Sequence, residues 1–129
     1  MSLGIYNTLQ ELILEATSRT QVEVAIEKKQ RVRIYYRGDE GEISGYRNIE
    51  PYVLGLSKTD NPILRAWQIN GVTDTEAPMW KTFRLDKITD WRTFPNFFHT
   101  PISDRDRAAP TYRENGDDSM TTIYKQAKF

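Results

Sequence analysis

The sequence predicts a mainly β chain (α+β): a small, strongly bent antiparallel sheet or barrel of about five strands. Two short helices precede it and an irregular arm follows. Three observations carry this reading. Apolar residues recur at helical spacing up to Gln30, the period drops to two from Arg31, and the composition turns polar and rich in Pro and Gly after Phe98. The implied divisions are residues 1–30 (helices packing on the barrel), 31–98 (barrel) and 99–129 (C-terminal arm).

Asn7-Thr-Leu-Gln10 offers a capping side chain with a glutamine three residues later, and Leu9, Leu12, Ile13 and Ala16 then follow the helical period. Thr20-Gln-Val-Glu23 matches a capping box and opens a second helix, with Val22, Ala25 and Ile26 on one face. In RVRIYYR, Val32, Ile34 and Tyr36 alternate with Arg31, Arg33, Tyr35 and Arg37, the two-residue period of a half-buried strand. Gly38–Gly41 is a turn. Residues 42–48 make a second strand and Tyr52–Leu56 a further short one, with Pro51 at a strand start or edge bend because it cannot donate to a ladder. After the turn at Asp60-Asn-Pro62, ILRAWQI puts Ile63, Arg65, Trp67 and Ile69 on one face. MWKTFRL and KITDWRTF supply the last strands. The expected core is Val32, Ile34, Tyr36, Ile49, Val53, Leu64, Ala66, Phe83, Leu85 and Ile88, with Trp67 divided between core and site. In the arm, residues 100–119 read as irregular. Met120, Ile123, Tyr124 and Phe129 form an apolar cluster that either docks on the barrel or a partner subunit, or frays.

At 129 residues, 38% of them hydrophobic and 12% aromatic, one core is affordable, while a mean hydropathy of −0.67 implies a polar surface. No apolar run reaches the length of a membrane helix and the N-terminus lacks a secretory pattern, so a soluble, cytoplasmic protein is expected. The net charge is zero but unevenly spread: −3 over residues 1–27, +3 over 28–99, and zero over 100–129. Lys28, Lys29, Arg31, Arg33 and Arg37 fall close together. Such clustering suits either a polyanion partner or a solvated face.

Nothing in the chain assembles a catalytic group. There is no cysteine and one histidine, His99, at the edge of the predicted fold, so thiol and Ser-His-Asp chemistry lack their parts. Gly55-Leu-Ser-Lys58 lacks the first glycine and the helix of a phosphate loop. Asp104 and Asp106 are offset by Arg105 and Arg107, too few oxygens for a hard cation. The expectation is a non-enzyme with no metal and no cofactor.

Arginines instead stand beside aromatics on the predicted strands: Arg33 with Tyr35, Arg47 with Tyr46, Arg65 with Trp67, Arg84 with Phe83. Guanidinium forks grip phosphates and flat rings stack bases. The plainer reading keeps the aromatics in the core and the arginines in solvent. Arg65 fits it least, since it shares a face with Ile63, Trp67 and Ile69 and needs Glu50, Asp86 or a bound anion as partner.

Three stretches together, IEKKQRVRIYYRGDEGEISGYRNIEPYVL, ILRAW and WKTFRLDKI, resemble the WYL domain, a module of bacterial and phage regulators. The matching positions are Tyr36; Arg47, Ile49 and Pro51; Leu64 and Ala66; and Phe83 to Ile88, with Lys87 where the family has arginine. Coverage runs over residues 20–98. Pro62-Ile63-Leu64 stands where the name-giving Trp-Tyr-Leu would fall. The resemblance implies an SH3/Sm-like barrel, a basic ligand pocket that includes Arg47, and a stand-alone module without the usual winged helix. It also implies links to transcription control, phage defence and single-stranded nucleic acid. From the arginine–aromatic pairing, the apolar face of Arg65 and the resemblance together, the expected site is Arg33, Arg47, Tyr52, Arg65, Trp67, Arg84 and Lys87, with Arg47, Arg65, Arg84 and Lys87 converging on one side of the barrel and Tyr52 and Trp67 close by. The expected ligand is single-stranded nucleic acid or a nucleotide-like anion. The alternative is a small-ligand sensor or protein-interaction module on a transcription or defence complex.

Overall fold

The computed structural model describes residues 19–38, 43–73, 79–98 and 111–129. Helix α1 (residues 19–28) leads into β1 (Gln30–Tyr36), β2 (Gly45–Ser57), β3 (Pro62–Gly71), β4 (Met79–Arg84), a 3₁₀ turn (Leu85–Lys87) and β5 (Ile88–Phe97). Three more strands follow: β6 (Tyr112–Arg113), β7 (Gly116–Asp117) and β8 (Met120–Gln126). Of the two expected helices, α1 is the second; the first, with Leu9 to Ala16, lies outside the described residues, as do His99, Asp104 and Asp106. Val22, Ala25 and Ile26 are buried, as their spacing predicts. Lys29 adopts a left-handed φ of 54°, which ends the helix and lets β1 start at the next residue.

The main sheet is antiparallel in the order β4-β3-β2-β1-β5, with β8 added on β2. Its two edge strands are consecutive in sequence, joined by three residues. Laid flat, four strand spacings of about 4.8 Å would separate β4 from β5 by about 19 Å. A three-residue 3₁₀ turn rises only about 6 Å. The sheet must therefore curl until its edges approach. Two hydrogen bonds fix the seam: the Arg37 N–H donates to the Lys87 carbonyl at 2.9 Å, and the Arg84 N–H to the Tyr36 hydroxyl at 3.1 Å. No ladder joins β4 to β5 among the described residues, so the expected closed barrel is corrected to a curled open sheet.

The expected pair of short strands around Pro51 is one continuous strand of 13 residues, β2. Its N-terminal half pairs with β1 up to Ile49, and its C-terminal half pairs with β8 from Val53. Pro51 falls in the gap between those partners, where a missing N–H removes no ladder bond on that edge. On the other side the register to β3 shifts between Pro51 and Val53, a bulge that bends the strand. The proline thus marks a change of partner rather than an end.

The arm is not irregular throughout. A small hairpin, β6–β7, precedes β8, and β8 lies antiparallel on β2 from Val53 to Ser57. The Ala127 N–H extends that contact by donating to the Tyr52 carbonyl at 2.8 Å.

Alternation and register give the sheet two faces. The inner face carries Val32, Ile34, Tyr36, Ile49, Leu64, Ala66 and Phe83, all buried as the two-residue period predicts. Ile88 is only partly buried and packs at the margin. On the outer face of β3 and β4, Trp67 and Trp80 pair across strands with ring centroids 5.1 Å apart. The arm covers them: Tyr112 lies against Trp80, and Phe129 against Tyr52 and Phe98. This second aromatic layer was absent from the expected core, because its covering residues lie 30 or more positions further along the chain.

Candidate functional site

At one end of the sheet, the C-terminal part of β1 (Arg33–Tyr36), the N-terminal part of β2 (Tyr46–Asn48) and the β4–β5 turn (Arg84–Lys87) come together. Tyr36 is the hub. Its ring lies 5.1 Å from the Arg47 guanidinium carbon and 5.0 Å from the Phe83 ring, and its hydroxyl accepts from the Arg84 N–H. Arg47 is buried, 6% exposed, with Nη1 donating to Gln68 Oε1 at 3.4 Å and Nη2 to the Ile43 carbonyl at 2.8 Å. Lys87 is buried in the β4–β5 turn, and its backbone carbonyl accepts from the Arg37 N–H. Arg84 is half-exposed and forms a two-toothed ion pair with Asp86, at 3.1 and 2.7 Å.

Of the four cations expected to converge, Arg47 brings its guanidinium to Tyr36, while Arg84 reaches the Tyr36 hydroxyl through its backbone N–H and Lys87 reaches Arg37 through its backbone carbonyl. Arg65 does not join them. On β2, Arg47, Ile49 and Pro51 share a face, opposite Gln68 and Ala66 of β3; Arg65 is one residue out of step and points to the other face. There its Nε donates to Asp117 at 3.0 Å and its Nη2 to the Thr111 hydroxyl at 2.5 Å. The partner that its apolar setting demands is thus neither Glu50 nor Asp86. Glu50 accepts from Arg31 at 2.9 Å instead.

Tyr52 and Trp67 also leave the expected site. Tyr52 is 0% exposed, ringed by Trp80, Phe98, Tyr112 and Phe129, so neither face of its ring is open to a ligand. Trp67 is buried against Trp80.

Arg33 faces outward. Its guanidinium carbon sits 4.1 Å from the centre of the Tyr46 ring, and that ring is 47% exposed and edge-on to Tyr35 at 5.0 Å. The pairing runs diagonally across strands, since Arg33 is opposite Asn48 and Tyr35 opposite Tyr46. Asn48 donates to Asn70 on β3 at 2.5 Å, and Arg92 of β5 lies opposite Arg33 on the other side. The outer face here is an open surface of Arg33, Arg92, Asn48, Asn70, Tyr35 and Tyr46. Asp90 offsets Arg92 at 3.4 Å; among the described residues Arg33 and Arg37 have no carboxylate partner. The β1 alternation marked Arg33 as outward-facing, and its neighbouring tyrosines were visible, but only the register shows which ring it covers. Asp117 and Thr111 were missed outright.

Among the described residues no group of three or more His, Cys, Asp or Glu side chains could hold a metal, and no helix is long and apolar enough to cross a membrane.

No curated protein matches the sequence. Among solved structures, the proteasome accessory factor B/C (PafBC) of Arthrobacter aurescens resembles this fold with a TM-score of 0.55 at 22% identity. The match covers 70% of this chain and 14% of that one, so it is a likeness of fold over a small part of a longer protein. The family model for the WYL domain matches residues 19–93, which is more than half of the sequence and includes the RNIEP and FRLDKI segments around Tyr36. The chain belongs to the WYL domain family.

Proposed function

We propose that this protein is a non-catalytic regulatory or accessory module that binds single-stranded nucleic acid, or a nucleotide-like anion, at the basic end of its sheet and on the adjoining outer face. One observation carries the reading. The Arg33 guanidinium lies over the exposed Tyr46 ring with no carboxylate partner among the described residues, so charge and stacking surface are presented together. A phosphate could be gripped by Arg33 or Arg37 while a base lies on Tyr46, without sequence readout. Arg47 and Lys87, both buried, add positive potential beneath that surface, while Arg84 is offset by Asp86.

A second reading, a small-ligand sensor, draws on Arg47. A guanidinium held between Tyr36 and Phe83 and braced by Gln68 suits a compact anion better than a polymer. Ile123 and Phe129 remain exposed and are the contacts we would assign to a protein partner or a second copy in a transcription or defence complex, with Met120 and Tyr124 beside them.

The test is a titration of labelled single-stranded oligonucleotide at two salt concentrations, with Arg33→Ala and Arg47→Ala beside the parent chain. Steep weakening with salt and a loss in Arg33→Ala support a strand-binding face. A saturable rise in melting temperature with mononucleotide alone, lost in Arg47→Ala and indifferent to Arg33→Ala, supports the sensor instead.

A further inference from the structure

Arg65 and Trp80 form a patch that already holds an anion and a ring, both supplied by the chain itself. The Asp117 carboxylate is fully buried on the Arg65 guanidinium, and the Tyr112 ring lies against Trp80 at 6.3 Å between centroids and 23° between planes. A carboxylate on a guanidinium beside a ring on an indole copies the phosphate and base of a nucleotide. We propose that the β6–β7 hairpin is a resident occupant of a second nucleic-acid subsite, and that a bound single strand displaces it. The inference rests on the reading of the outer face given above and extends it to regulation.

Three features support displacement. The hairpin pairs with no strand of the main sheet; its ladder is the two pairs Tyr112–Asp117 and Arg113–Gly116. β8 has its own ladder to β2, so the hairpin can lift while β8 stays. The tie itself is exchangeable. Burying an ion pair costs much of what its attraction returns, and an incoming phosphate would replace Asp117 without leaving Arg65 buried and unpaired. The hairpin's other attachments include Gln126 Nε2 donating to the Arg113 carbonyl at 2.8 Å, the exposed Lys128 donating to Asn115 Oδ1 at 3.0 Å and to the Glu114 carbonyl at 3.4 Å, Arg65 Nη2 donating to the Thr111 hydroxyl at 2.5 Å, and Tyr112 edge-on to Tyr52 at 6.4 Å.

The two subsites share one face. Tyr46, Asn48 and Glu50 alternate outward on β2, Trp67 lies opposite Glu50, Trp80 opposite Trp67, and Arg65 two residues along β3. Arg31 neutralises Glu50 on the way. A strand held at Arg33 and Tyr46 is thus led toward the hairpin.

The experiment uses the full chain and an oligothymidylate of about twelve nucleotides. It compares the parent with Tyr112→Ala, Asp117→Asn, the double variant, and the double variant carrying Arg65→Gln, each checked by circular dichroism. Opening the patch should tighten binding about tenfold in the double variant, as expected if the open form is about a tenth populated in the parent. The gain should vanish with Arg65→Gln, and tryptophan fluorescence should be quenched only where the patch is open. Hydrogen exchange on the parent is the second measurement: amides of 112–118 should exchange faster with oligonucleotide bound. Unchanged or weaker binding in the folded variants, a gain that survives Arg65→Gln, or unchanged or slower hairpin exchange would each overturn the proposal. If parent and variants bind alike and Arg33→Ala alone weakens binding, the outer-face reading stands and the hairpin is purely structural. If no form binds, both fall.

Discussion

A β-carbon placed on Gly55 would lie 2.3 Å from the Thr122 carbonyl oxygen and 2.7 Å from the Met120 sulfur. The first contact is with backbone, which cannot rotate away, so β8 can approach β2 this closely only over a glycine. Gly55→Ala should therefore push β8 off its register and lower stability by about 1–3 kcal/mol, the usual cost of overpacking. Oligonucleotide affinity of the folded protein should stay unchanged, because Gly55 is remote from Arg33. A thermal melt with no downward shift would mean that β8 contributes little to the fold. Gly71 is fixed differently, by a φ of 108° together with the Tyr46 carbonyl oxygen 2.5 Å from where a β-carbon would stand. Tyr52 tests the opposite kind of residue, a site candidate expected to lie close to the converging cations. Enclosed by four aromatic rings, it behaves as a core side chain, and Tyr52→Ala should cost about 3–5 kcal/mol. If instead the variant melts like the parent and loses ligand, the ring serves the site after all.

At the scale of elements, the hairpin depends on a carboxylate. Burial pushes the Asp117 carboxyl up, but the Ser119 hydroxyl and N–H and the Arg65 guanidinium outweigh it, leaving the group below the ordinary aspartate value. A depressed folded-state pKa contributes stability that is full above the unfolded value, about 3.9, and is lost as pH falls below it through the folded value. Melting temperature should thus be insensitive to Asp117 between about pH 5 and 8 and should fall in stronger acid. In Asp117→Asn that part of the acid decline should be missing. Parallel acid limbs for the two proteins would show that the carboxylate gives no pH-dependent support. The same element shows what the sequence could and could not reveal. Glu114-Asn115-Gly116 carries an Asn-Gly signal for a tight turn, yet strands of two residues have no period to detect. Asp117 and Arg65 are 52 positions apart, and no spacing rule links them. β1 was legible because one face is buried and the other wetter, whereas on β3 the inward Leu64 and Ala66 were legible although Arg65 and Trp67 on the opposite face are buried too. β2 was misread as two strands because Pro51 signals a break unless the change of edge partner is known.

For the whole molecule, zero net charge conceals a polarised surface. Among the described residues, Arg33, Arg37, Arg47, Arg84, Lys87 and Arg92 lie toward one end of the curled sheet, with Arg47 and Lys87 buried and Arg84 and Arg92 engaged by Asp86 and Asp90. The sequence reading saw a mildly basic middle third, and curling is what concentrates it: a three-residue turn between the two edge strands brings β4 and β5 cations beside those of β1 and β2. A surface that neutralises about three or four phosphates of a single strand should give a log–log salt slope of roughly −2 to −3, at about −0.7 per phosphate. Affinity should then drop about 20- to 60-fold between 50 and 200 mM salt. Arg33→Ala should flatten the slope by about 0.7 and also weaken stacking on Tyr46, whereas Arg92→Ala, already offset by Asp90, should change it less. Tyr46→Ala provides the discriminating contrast. It removes a ring and no charge, so affinity should fall while the slope stays that of the parent. A slope near zero for the parent chain would remove phosphate neutralisation as the basis of binding and leave Arg47 and its compact anion as the surviving reading.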